Sequence, residues 1–180
     1  LAIDLVKPHL EADRRTLVYL LPQSGRIGQF SVETYYLYEV FGEAFDEILV
    51  VVNSSARFGL NRGVRRIAQQ YMRIIEAPNP DLMRMGLFDG PVQEYGSATL
   101  GLYSAKRLIH DAYQARRSGQ APAIITLPEE MRREARYFLK RLGVPEDAPI
   151  VTVHARDQSY MPNLTYHAHR NTNFQNYTPA

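Results

Sequence analysis

The tetrapeptide His154-Ala155-Arg156-Asp157 is the first candidate for chemistry, because it follows the apolar run 150–153. Ligands of open α/β sheets bind beyond the carboxyl ends of the strands, so a strand here would bring these side chains to a ligand. Alternation along the strand places His154 and Arg156 on one side. The arginine could bind a diphosphate, and the histidine could donate a hydrogen bond or act as acid or base. The alternative is a structural His154 beside an Arg156–Asp157 ion pair.

A second candidate is the turn Gly25-Arg26-Ile27-Gly28, which follows an apolar run and opens a helical pattern. Glycines allow a tight turn and close approach to the backbone, and a helix N-terminus attracts anions. The turn lacks the third glycine of the dinucleotide fingerprint and the Gly-Lys-Ser/Thr of a P-loop, so it favours neither a Rossmann dehydrogenase nor a P-loop ATPase. An ordinary strand-to-helix turn is the alternative.

A third candidate is the polar stretch from Tyr166 to Asn171, which contains His167 and His169. Two histidines at this spacing could chelate a metal, but no carboxylate follows Asp157 to complete the ligand shell. We therefore expect a loop that lines a cleft and no metal site. The chain also has no cysteine, which excludes disulfides and thiolate catalysis and fits a reducing, cytoplasmic setting.

The elements that must position these residues follow from the apolar patterns. Continuous apolar runs, typical of strands covered on both faces, predict buried strands at Arg15–Leu21, Glu47–Asn53, Ala123–Leu127 and Ile150–His154. Helical spacing predicts helices at Ile27–Val40, Arg62–Ile75, Asp81–Phe88, Ser97–Arg117 and Glu129–Leu142. The predicted fold class is α/β, a Rossmann-like parallel sheet with flanking helices.

The chain of 180 residues is expected to hold one whole domain and the beginning of another. The segment Pro145–Pro149 is polar, contains two prolines and precedes the last predicted strand. The sequence therefore predicts a first domain at 1–144, a linker at 145–149 and the start of a truncated second domain at 150–180.

The charges are nearly balanced, with 21 basic and 19 acidic side chains, which argues against a nucleic-acid partner. Basic residues nevertheless cluster on two predicted helices. They are Arg65, Arg66 and Arg73 on one, and Arg132, Arg133, Arg136, Lys140 and Arg141 on the other. Solvated helix faces explain them most simply, and peripheral contact with anionic lipid at the inner face of the membrane is the functional alternative.

Two stretches of the chain resemble a bacterial family of predicted glycosyltransferases from surface-polysaccharide gene clusters. Members have a GRIGH turn near the start, matched here by GRIGQF at 25–30. They also have a strand ending in HVRD and then a YH-x-x-RN-x-x-x-x-x-Y-x-P-A pattern. The last pattern is matched by Tyr166-His167, Arg170-Asn171, Tyr177 and Pro179-Ala180.

The resemblance implies an enzyme of the GT-B type, in which two Rossmann-like domains face each other across a cleft. The N-terminal domain would lie on the acceptor side, and the HARD strand would open the donor domain. That strand is similar to the HxRxxD element of fucosyltransferases, whose arginine contacts the sugar-nucleotide diphosphate, so Arg156 takes this role, with His154 and Arg170 as further diphosphate contacts. Asp157 follows Arg156 directly instead of three residues later, so no role is carried over to it. Tyr166, His167 and Asn171 would line the substrate loop.

The expected reaction transfers a sugar from a nucleotide-sugar donor to a surface-glycan or lipid-linked acceptor, with no metal or other cofactor. Positive side chains and a helix N-terminus can neutralise the leaving diphosphate. An inverting enzyme needs a base for the acceptor hydroxyl, and Glu33 and His154 are both candidates. This fragment alone is expected to be inactive. The alternative is a non-catalytic α/β module that binds a phosphorylated or sugar ligand.

Overall fold

The computed structural model describes residues 6–53, 60–78, 80–90 and 93–150. Within these described residues, a 3-10 turn at Lys7–His9 is followed by five strands and five helices. The strands are β1 (Thr16–Leu21), β2 (Glu47–Asn53), β3 (Arg73–Ala77), β4 (Gln93–Tyr95) and β5 (Ala98–Gly101). The helices are α1 (Ile27–Phe41), α2 (Arg62–Ala68), α3 (Pro80–Met85), α4 (Ala105–Arg117) and α5 (Glu129–Arg141).

The five strands form one sheet in the order β3-β2-β1-β5-β4. β1 pairs in parallel with both β2 and β5, and β2 pairs in parallel with β3. The short β4 is antiparallel to β5, so the sheet is mixed and not purely parallel as predicted. The fold is therefore α/β and compatible with a Rossmann-like arrangement.

Both faces of β1 are buried, as its continuous apolar sequence predicted. On one face, Leu17, Tyr19 and Leu21 belong to a core cluster that includes Phe30 and Leu37 of α1 and Leu108 of α4. On the other face, Val18 and Leu20 belong to a cluster with Met83 of α3. The predictions of β1, β2 and α1 are confirmed to within one residue at each end.

The predicted helix Arg62–Ile75 is wrong in its second half. α2 ends at Ala68, and β3 then pairs with β2 from Arg73. Its sequence, RIIEA, has adjacent β-branched residues that suit a strand, and Ile74 lies in the same core cluster as α1. Arg73–Ala77 therefore forms a strand because β2 offers it a free edge for pairing.

The predicted helix Ser97–Arg117 is wrong in its first third. Ala98–Gly101 forms β5, and the preceding hairpin turns at Gly96, whose φ of 57° lies in the left-handed region that glycine favours. The helix begins only after Ser104, whose hydroxyl accepts a hydrogen bond from the Arg107 amide at 3.2 Å. Further along α4, Arg116 forms two 2.7 Å bonds with the Glu39 carboxylate of α1.

The predicted strand Ala123–Leu127 does not form. The segment instead runs beside α1 and α2, where side chains bind its backbone. The Tyr35 hydroxyl donates to the Ala123 carbonyl at 3.1 Å, and the Gln70 amide donates to the Thr126 carbonyl at 2.9 Å. Ile124 is 83% exposed, so this segment lacks the burial that its apolar sequence predicted.

The chain divides into two compact units, Leu1–Arg133 and Glu134–Ala180. The predicted helix Glu129–Leu142 is confirmed as Glu129–Arg141, and Gly143 follows it with a φ of 76°. The predicted linker at 145–149 contains no helix or strand. The predicted strand Ile150–His154 lies outside the described residues from 151 onward.

Within the described ranges, no helix is both long and apolar enough to cross a membrane.

Candidate functional site

The order of the strands identifies where a ligand site is expected. The chain passes outward from β1 to β2 and β3 and then returns to place β5 on the other side of β1. In open α/β sheets, ligands bind at the carboxyl ends of the two strands between which the order reverses. The carboxyl ends of β1 and β5 are therefore the expected ligand site, and we call this region the candidate crevice.

The Gly25 to Gly28 turn lies at the end of β1, as the sequence predicted. The Arg26 amide donates to the Gln23 carbonyl at 2.9 Å, and Arg26 then occupies the N-cap position of α1, where no side chain caps the helix. Ser24, fully buried, accepts a hydrogen bond from the Asn53 amide at 3.3 Å, which ties the turn to the end of β2. The turn is thus held on a fixed scaffold while Arg26 stays exposed.

Gly28 leaves open space at the start of α1 and is not required there by backbone geometry. Among the described residues, left-handed backbone occurs at Gly96, Gly119 and Gly143, and not at Gly25 or Gly28. A Cβ atom added at Gly28 would meet no heavy atom within 4 Å. The first turn of α1 therefore presents an open surface with free backbone N–H groups, which attract anions.

Glu33, predicted as a candidate base, lies one turn further along α1 and is only 1% exposed. The Tyr19 hydroxyl donates to its Oε2 at 2.6 Å, and the Gln29 side-chain amide donates to its Oε1. Burial raises the pKa of Glu33 above its ordinary value, although both hydrogen bonds act in the opposite direction. The carboxyl group thus lies beneath the crevice and not on its surface, and its role as a base stays a prediction.

Tyr19 and Asp89 belong to the same region, and no sequence pattern singled them out. Burial, followed by the neighbouring charge of Glu33, raises the pKa of the Tyr19 hydroxyl, so this group stays protonated. The charge of Asp89 raises that pKa further. Asp89 itself accepts hydrogen bonds from the Ser104 amide at 2.8 Å and the Ser104 hydroxyl at 3.3 Å, at the start of α4. The only signal that could have linked Glu33 to a partner is the i, i+4 spacing of Gln29.

The electrostatics of the crevice differ between its two sides. The α1 side combines the positive end of the helix dipole with the exposed Arg26, which suits an anionic group. The β5 side carries the negative charge of Asp89, which already binds Ser104. An anionic ligand would therefore contact the α1 side first.

A pocket of about 390 Å³ lies at the opposite, amino-terminal edge of the sheet. Its walls include Arg14, Asp46, Glu47 and Arg73. Arg73 is paired there with Glu47 at 3.1 Å, so these charges compensate each other. Arg73, which was predicted to lie on a basic helix face, lies on β3 and lines this pocket, whereas, among the described residues, no candidate catalytic or diphosphate-binding residue lines it.

The remaining predicted site residues lie outside the described residues. They are His154, Arg156, Tyr166, His167, Arg170 and Asn171. Within the described part of the chain, no group of His, Asp and Glu side chains could hold a metal ion. Comparison with known proteins adds no assignment, since no family model, curated protein or solved structure matches the chain.

Proposed function

We propose that this chain belongs to a nucleotide-sugar-dependent glycosyltransferase of the GT-B type, with the α/β unit on the acceptor side. The observation that carries the proposal is the open turn Gly25 to Gly28, placed at the N-terminus of α1 beside the reversal of strand order. The HARD motif at 154–157 supports it from the sequence. Together these features supply one surface for an acceptor and one cationic group for a diphosphate.

In the proposed reaction, the acceptor hydroxyl oxygen attacks the anomeric carbon while the bond to the diphosphate oxygen breaks. Arg156, with His154 and Arg170, would neutralise the charge that develops on the leaving diphosphate. A base takes the hydroxyl proton. The burial of Glu33 favours His154 as this base, because the Glu33 carboxyl group is 1% exposed and already accepts two hydrogen bonds.

The same burial favours a second candidate function, a non-catalytic module that binds a phosphorylated or sugar ligand. A carboxyl group that is fixed below the surface can support a binding crevice without taking part in a reaction. Transfer assays of the full-length protein with nucleotide-sugar donors separate the two functions, because a module of this kind retains its ligand without turning it over.

Arg156→Ala is expected to weaken the binding of a nucleoside diphosphate by about ten- to a hundredfold. Loss of one charge-assisted hydrogen bond costs about 1.5–3 kcal/mol. Isothermal titration of the full-length protein with a panel of nucleoside diphosphates measures this effect. Arg117→Ala, an exposed arginine on α4, is the matched control and should leave the affinity unchanged. Wild-type affinity in Arg156→Ala would contradict the assigned role.

Gly28→Ala is expected to raise the KM for the acceptor several-fold without harming the fold. The added methyl group has free space in the protein, and alanine in a helix stabilises the folded state by about 0.5–1 kcal/mol relative to glycine. The same methyl group would occupy the surface on which the acceptor is proposed to lie. Steady-state kinetics of the full-length protein and thermal unfolding of this chain measure the two effects separately.

The control for this variant is Gly63→Ala, because Gly63 is likewise the second residue of a helix, α2. It should leave the acceptor KM unchanged. An unchanged KM in Gly28→Ala as well would exclude the turn from the acceptor site.

A further inference from the structure

The second half of α5 and the residue that follows it carry large apolar side chains that are exposed to solvent. No residue of α5 is buried. Tyr137, Phe138 and Leu142 are 65%, 60% and 63% exposed, and we call these three residues the α5 apolar patch. Phe138 and Leu142 lie one helical turn apart on the same side, since the Leu142 amide still donates to the Phe138 carbonyl. Single exposed apolar residues are common in proteins, but a cluster marks an interaction surface.

Basic side chains accompany this patch along the same helix. Arg136, Lys140 and Arg141 lie within the same two turns, where Glu134 is the acidic residue. The Arg141 guanidinium lies over the Tyr137 ring at 6.0 Å, so a cation accompanies the apolar group directly. The other two acids of α5 lie in its first turn, where Glu129 contacts Arg132 at 3.8 Å and Glu130 contacts Arg66 at 3.0 Å. The half of the helix with the patch is therefore net positive.

We propose that the α5 apolar patch docks the protein on a membrane surface that contains anionic lipids. A helix with aromatic and leucine side chains on one side and Lys and Arg on the other lies in the plane of the interface, with its apolar side at the acyl boundary. Long basic side chains reach from such a helix to the phosphates of the headgroups. This inference goes beyond glycosyl transfer and does not depend on it.

The arrangement fits a lipid surface better than a nucleic acid. Strands of nucleic acid are held by aromatic rings that stack on bases next to a positive groove. Here Leu142 lies on the same side of the helix as Phe138 and has no ring that could stack on a base. Helical spacing places Arg136 and Lys140 on the far side of the helix from Phe138. A bilayer accommodates both sides of the helix at once, because it is apolar inside and anionic at its surface.

The test is sedimentation of the full chain with vesicles of phosphatidylcholine alone and of an equal mixture with phosphatidylglycerol. We expect binding to the mixed vesicles, weakened by added salt, and little binding to phosphatidylcholine. Lys140→Glu should lower the partition coefficient at least about fivefold, since each basic residue near an anionic surface contributes roughly that factor. Phe138→Ser should lower it through lost insertion.

Each variant has a matched control on α4. Lys106→Glu makes the same charge change at another exposed lysine, and Tyr113→Ser removes another aromatic ring, which is 58% exposed. Both controls should bind vesicles like the wild type. Equal loss in variants and controls, equal binding to both kinds of vesicle, or no binding would overturn the proposal. Binding of the wild type to nucleic acid or to a second copy, lost in Phe138→Ser, would also overturn it.

Discussion

Phe30→Ala is expected to lower the free energy of unfolding by about 3–5 kcal/mol, the usual cost of removing a buried phenylalanine ring. Phe30 is fully buried in the first turn of α1, within the core cluster that joins this helix to β1. The substitution removes apolar contacts and leaves a cavity that close-packed neighbours fill only in part. Because α1 carries the Gly25 to Gly28 turn at its start, the same change loosens the candidate crevice.

Denaturant unfolding monitored by circular dichroism measures this loss, provided that the m-value stays constant. Phe88→Ala is the control, because the Phe88 ring is 68% exposed, and its effect should stay within about 0.5 kcal/mol. A loss below about 1 kcal/mol in Phe30→Ala would mean that α1 does not pack on β1 as described.

Tyr19→Phe is expected to destabilise the protein by about 1–3 kcal/mol near neutral pH. The substitution keeps the ring but removes the hydroxyl that donates to the buried Glu33 carboxyl group. A buried polar group that loses its partner retains its desolvation penalty. The pKa of Glu33 rises further in this variant, because one of the two donors that lower it is gone.

Glu33 also makes the stability depend on pH, and Glu33→Gln removes this dependence. Since burial raises the pKa of Glu33 in the folded state, the folded protein binds more protons than the unfolded chain between the ordinary carboxyl pKa and the raised one. The contribution of Glu33 is therefore complete below the ordinary pKa and is lost as pH rises through the folded-state pKa. We expect Glu33→Gln to gain stability relative to the wild type across this window, and the difference to level off above it.

Unfolding free energies measured over a series of pH values test both variants. The control is Glu43→Gln, because the Glu43 side chain is exposed, and its stability should follow the wild-type pH dependence. If the difference in unfolding free energy between Glu33→Gln and the wild type does not change with pH, this carboxyl group does not titrate with a raised pKa. A stability of Tyr19→Phe equal to that of the wild type would show that the Tyr19–Glu33 hydrogen bond is not formed.

The elements with long, regular patterns could be predicted from the sequence, and the short ones could not. β1, β2, α1 and α5 have enough apolar residues at one period to identify their type. β3 and β5 have five and four residues, and each fits a helical pattern when it is read together with its neighbours. Both segments form strands because each pairs with a strand that is remote in sequence. β3 pairs with β2, and β5 pairs with β1.

The opposite error at Ala123–Leu127 has a related cause. Its apolar, β-branched sequence suits a buried strand, but its backbone binds side chains of α1 and of the turn after α2 instead of a strand. The candidate site shows the same limit. The sequence placed Glu33 near the glycine turn, but its burial depends on Tyr19 of another element, which no local pattern reveals.

The central position of β1 also governs the order in which the sheet can be completed during synthesis. β1 can pair with β2 as soon as residue 53 is available, and these two strands are joined by a single helix. Its other edge is filled by β5, which does not exist until residues 98–101 have been made. Until then, the nascent protein carries an apolar strand with an open edge, which is the kind of surface that pairs with other chains and that chaperones protect. Of the described strands, the one that supports the candidate crevice is thus the first to be made and the last to be enclosed.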